Sequence, residues 1–69
     1  MKATREQIRE LSELTGAAGL DKETALNISL RADDEEENRK MVKWLRENSG
    51  ASAHEICEMS RQILRDRQE

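Results

Sequence analysis

This chain of 69 residues has no proline, phenylalanine or tyrosine, and it contains only one cysteine, Cys57. A single cysteine cannot form an internal disulfide, so a small disulfide-stapled fold is excluded. No apolar run approaches the length that spans a bilayer, and the amino-terminal segment MKATREQIRE lacks the apolar core of a signal peptide. We therefore expect a cytoplasmic protein that does not bind membranes.

Residue groupings typical of enzymes and metal proteins are also missing from the sequence. It has no glycine-rich phosphate loop, no CxxC spacing and no evident cluster of metal ligands. Because Cys57 has no accompanying histidine and aspartate constellation, we interpret it as a small residue near the core rather than a nucleophile. Trp44, the only aromatic residue, is expected in the core or in a dimer interface, or else as an exposed anchor for a partner. We expect no enzymatic activity and no cofactor.

Charge is what the chain has in abundance: 39% of its residues are charged and 35% are hydrophobic. The apolar residues nevertheless recur in ordered patterns, which indicates a folded domain rather than a disordered chain. A domain of this length seldom buries enough apolar surface to be stable alone, so we expect a homo-oligomer.

The net charge of −3 depends on one acidic run, DDEEE, at residues 33–37, without which the chain would carry +2. The run precedes a predicted helix. We interpret it as an N-cap, formed by Asp33 or Asp34, with further acidic residues that interact favourably with the helix dipole. The alternative is an acidic patch that binds a partner.

An N-terminal helix is predicted from the segment TREQIRELSELTG. It opens with a capping box between Thr4 and Gln7, and Gly16 stands at a plausible C′ position. The following segment, GAAGLDKE, is expected to be a flexible joint. We therefore divide the chain into a helix and joint at residues 1–20 and a main domain at residues 21–69.

A single strand is predicted within ALNISLRAD, residues 25–33, because apolar and polar residues alternate there. In a strand, Leu26, Ile28 and Leu30 all point to one side. In a helix, Leu26 and Leu30 would lie about 40° apart, and Ile28 would lie about 200° from Leu26. We prefer the strand, which needs a partner strand from another copy of the chain.

Two further helices follow the predicted strand. The segment DDEEENRKMVKWLRENSG has apolar residues at helical spacing and ends at Gly50, a second candidate C′ glycine. The segment SAHEICEMSRQILRDRQ opens with a capping box between Ser52 and Glu55. Its apolar face comprises Ile56, Met59, Ile63 and Leu64.

The order of strand, helix, glycine turn and helix in NISLRADDEEENRKMVKWLRENSGASAHEI resembles the ribbon-helix-helix DNA-binding family. The resemblance implies a mainly α fold, an intertwined homodimer with one short strand and two helices per chain, here with an extra N-terminal helix. In that family the two strands form an antiparallel ribbon that enters the major groove of double-stranded DNA.

The resemblance also assigns site residues. It implies that Leu26, Ile28 and Leu30 point inward from the ribbon. It also implies that the outward residues, Asn27, Ser29 and Arg31, read bases. It implies that the residues at the start of the last helix bind DNA phosphate. These residues are Ser52, Ala53 and His54. For His54, a plain surface position is the alternative.

The sequence thus leads to two hypotheses for function. The first is a homodimeric, sequence-specific DNA-binding protein that acts as a transcriptional repressor or regulator. The alternative is a small helical protein-interaction module, such as an inhibitor, an adaptor or an antitoxin-like protein. In the alternative, residues 1–20 are one candidate surface for a protein partner.

Overall fold

The computed structural model describes residues 1–65, which fold into four α-helices and no β-strand. The helices are α1 (Arg5–Ala17), α2 (Lys22–Arg31), α3 (Glu35–Glu47) and α4 (Ala53–Arg65). The only β-type pairing in this part of the chain is an isolated antiparallel bridge between Lys2 and Asp34. The fold is therefore all-α.

The predicted strand over residues 25–33 is wrong, because most of that segment lies in α2. This helix begins at the N-cap Asp21, whose carboxylate accepts hydrogen bonds from the Thr24 backbone amide at 3.3 Å and from the Thr24 hydroxyl at 2.6 Å. The predicted ribbon-helix-helix fold is also wrong, because the segment that was assigned to its strand is helical. Without a strand there is no ribbon, and the need for a partner strand from a second chain disappears.

Small side chains occupy most of the inward face of α2. Ala25, Ile28, Ser29 and Ala32 are buried at the i, i+3, i+4, i+7 spacing of one helix face. The Ser29 hydroxyl donates to the Leu26 carbonyl oxygen at 2.9 Å, so burial leaves it hydrogen-bonded within the helix. Ile28 therefore points inward as predicted, but it does so from a helix.

The segment between α1 and α2 forms a tight, hydrogen-bonded turn. α1 continues to Ala17 and ends in a Schellman motif, in which the Leu20 amide donates to the Thr15 carbonyl at 3.3 Å and the Gly19 amide to the Gly16 carbonyl at 3.1 Å. Gly19, with φ of 110°, is the C′ residue. Gly16 was predicted for that position, but it lies within the last turn of α1.

Both predicted capping boxes are confirmed. The first joins Thr4 to Gln7 at the start of α1. In the second, the Ser52 amide donates to the Glu55 carboxylate at 2.8 Å and the Glu55 amide donates to the Ser52 hydroxyl at 3.1 Å. Gly50 is not a C′ residue with positive φ, since Gly19 is the only glycine of that kind among the described residues.

The core is built from all four helices of one chain. α1 packs on α2 and α3, and α4 packs on α3 and, less extensively, on α2. Residues of all four helices meet in one core cluster. Trp44 and Cys57 pack against the core while partly buried, which confirms the predicted placement of Cys57. The buried core comprises Leu11, Leu20, Ile28, Ala32, Met41, Leu45, Ile56 and Leu64.

Candidate functional site

Two leucines on α2 face solvent. Leu26 is 48% exposed and Leu30 is 52% exposed, and apart from Met1 they are the only large apolar side chains in residues 1–65 that are this exposed. They lie one helical turn apart, about 40° from each other around the helix axis. We call Leu26 and Leu30 the leucine pair.

The leucine pair lies at the crest of a convex surface. Six of the ten residues of α2 are exposed, and they cover about 180° of the helix circumference. We call this surface the α2 ridge. It comprises Lys22, Glu23, Leu26, Asn27, Leu30 and Arg31. The ridge therefore carries an apolar crest with polar and charged residues on its flanks.

The predicted base-reading residues do not form one surface. Asn27 and Arg31 are exposed, one turn apart, on the α2 ridge. Ser29 is completely buried, and its hydroxyl is bonded to the carbonyl of Leu26. The structure thus brings two of the three residues together and places the third on the opposite face of the helix.

The predicted phosphate-binding residues do lie at a helix N-terminus, where Ser52 precedes α4 and Ala53 and His54 open it. The Glu55 carboxylate, however, accepts a hydrogen bond from the Ser52 amide. The Glu55 carboxylate thus occupies one of the backbone amide donors that an anion would need. It also places a negative charge at the helix end that would otherwise attract phosphate.

The acidic run mainly supports the start of α3. The Asp34 carboxylate accepts hydrogen bonds from the amides of Glu36 at 3.0 Å and Glu37 at 3.3 Å, and the bond from Glu37 is the largest cause that lowers its pKa. Glu35 forms an ion pair with Arg39 at 3.1 Å. Glu37 is buried. The N-cap interpretation of the run is confirmed, with Asp34 as the capping residue.

The N-terminal segment belongs to the main body of the protein. Leu11 and Thr15 of α1 are completely buried. Before α1, the Ala3 amide donates to the Asp33 carbonyl at 2.7 Å, and the Glu35 amide donates to the Met1 carbonyl at 2.7 Å. Part of residues 1–20 therefore contributes to the fold, and this segment has no exposed large apolar side chain apart from Met1, which makes the α2 ridge our candidate for a partner surface.

A shallow groove of about 360 Å³ lies between the start of α2 and one side of α4. Its charged side chains already have partners within the protein: Asp21 caps α2, and Arg61 forms an ion pair with Glu58 at 3.1 Å. Cys57 and His54 also line it. No group of three or more histidine, cysteine, aspartate or glutamate residues within the described residues could hold a metal ion. The groove therefore shows no arrangement with evident chemistry.

Among the described helices, none has the combined length and apolar character needed to cross a bilayer. The leucine pair is the feature that packing within the chain leaves unexplained.

No protein-family model matches this sequence, and no curated protein or solved structure is significantly similar to it.

Proposed function

We propose that this chain is a small helical protein-interaction module that binds a partner protein through the leucine pair. The observation that supports the proposal is the exposure of Leu26 and Leu30, side by side on one helix. Single exposed leucines are common on protein surfaces and carry little information. Two on adjacent turns form a continuous apolar strip that a partner can cover.

The distribution of residues on α2 strengthens this argument. The inward positions of the helix hold Ala25, Ser29 and Ala32, whereas the two larger leucines face solvent. Burying a leucine contributes about 1.5 to 3 kcal/mol relative to leaving it exposed, so folding stability alone favours the opposite arrangement. A role in binding accounts for leucines that remain on the surface.

The expected contribution of the pair to affinity is moderate. Each leucine is about half exposed, so covering both removes roughly the area of one fully exposed leucine. This contributes about 1.5 to 3 kcal/mol, or about 10-fold to 100-fold in the dissociation constant. The pair would act as an anchor within a larger contact.

Base reading by a ribbon is not retained, since it requires a strand at residues 25–33 and an outward Ser29, and the described structure has neither. The alternative hypothesis, an interaction module, does not depend on a strand. Inhibitor, adaptor and antitoxin-like roles all fit within it, because each consists of binding a protein partner.

Site-specific crosslinking in the cells that make the protein tests the proposal. A photoreactive amino acid replaces Leu26 in the full chain, and the matched control carries it at Gln62, an exposed position on α4. We expect a partner adduct from position 26 and none from position 62. A second change, Leu30→Lys, should abolish the adduct without changing the melting temperature.

The captured partner is then purified and titrated with the wild-type chain and with a Leu26→Ala/Leu30→Ala variant. We expect the double variant to bind about 10-fold to 100-fold more weakly. Equal affinity of the two proteins, or equal adducts from positions 26 and 62, would show that the leucine pair is not the binding surface.

A further inference from the structure

We draw no further inference here: the strongest candidate, the apolar crest of α2 that Leu26 and Leu30 form, belongs to the site already described, and nothing in the structure shows the shape or the chemistry of what covers it.

Discussion

α2 and α3 begin in the same way but use their apolar residues differently. Each is capped by an aspartate, Asp21 for α2 and Asp34 for α3. α3 buries Met41 and Leu45 and directs most of its charged residues to solvent. α2 directs its leucines to solvent and fills most of its inward face with small residues. The comparison shows that the size of an apolar side chain does not by itself identify the buried face of a helix.

The most extensive helix packing in the described chain is between α1 and α2. Small inward side chains suit such packing, because they allow two helices to approach closely without voids. The outward leucines of α2 are then available for another purpose. α3 has no comparable apolar residue on its outer face, so its sequence is explained by folding alone.

The largest effect is expected when one substitution on the buried face of α2 is compared with one on its exposed face. Ile28→Ala removes a buried side chain and should lower the free energy of unfolding by about 2 to 5 kcal/mol. Leu30→Ala removes a side chain that is 52% exposed and should lower it by only about 1 kcal/mol. Urea denaturation of the two variants measures the difference. Equal losses would mean that α2 does not have one inward and one outward face.

The contrast between the two helices also explains which elements could be predicted from the sequence. The stretches that form α3 and α4 carry large apolar residues at helical spacing, and the capping boxes of α1 and α4 are local signals that depend on four consecutive residues. Both kinds of signal are complete within the segment itself. α1 and α3 were therefore predicted with nearly correct bounds, as was the start of α4, whereas the predicted end of α4 lies outside the described residues.

α2 was missed because two local signals conflicted and the stronger one was given less weight. The alternation in LNISL fits a strand, but it covers only five residues. Asp21 and Thr24 form an N-cap signal just before it, and Ala25 and Ala32 share a helical face with Ile28. In the folded protein α2 buries that small-residue face and packs extensively on α1, and such tertiary contacts are not visible in a short window of sequence.

The candidate site was missed for the same reason. Leu26 and Leu30 were predicted to point inward because they were assigned to the same strand face as Ile28. A helix was expected to place Ile28 on the opposite side from Leu26 and Leu30, and the structure has this arrangement. The separation was nevertheless taken as evidence against a helix. Asn27 and Arg31 were correctly expected to face outward, although from a ribbon rather than from the flanks of a helix.

An intermediate effect is expected at the turn that sets the direction of α2. Gly19→Ala places a side chain at φ of 110°, where L residues are strained, and should cost about 1 to 2 kcal/mol. Neither Gly19 nor Gly16 has a neighbouring atom within 4 Å of an added Cβ, so crowding does not contribute at either position. Gly16→Ala is therefore the matched control. Because Gly16 is helical, that change should instead stabilise the protein by about 0.5 to 1 kcal/mol. Thermal unfolding of both variants measures the two shifts, and changes of the same sign would contradict the Schellman turn.

The smallest effect is expected from a change in pH, which acts through the aspartates that cap α2 and α3. The pKa of Asp21 is lowered chiefly by the hydrogen bond from the Thr24 side chain, and that of Asp34 chiefly by the bond from the Glu37 backbone amide. In the unfolded chain each pKa returns towards 3.8. The ionised carboxylates therefore stabilise the folded state fully above that pH, and the contribution is lost as the pH falls through the lower folded-state values.

Asp21→Asn and Asp34→Asn separate this contribution from the general effect of acid. Asparagine still accepts the capping hydrogen bonds but does not titrate, so each variant should lose less stability than the wild type between neutral pH and a pH below 3.8. Glu13→Gln, which removes an exposed carboxylate that caps no helix, is the control and should follow the wild type. Melting temperatures recorded by circular dichroism at the two pH values provide the comparison. If both asparagine variants lose as much stability in acid as the wild type does, the aspartate caps contribute no pH-dependent stability, and α2 and α3 are held by packing and uncharged hydrogen bonds alone.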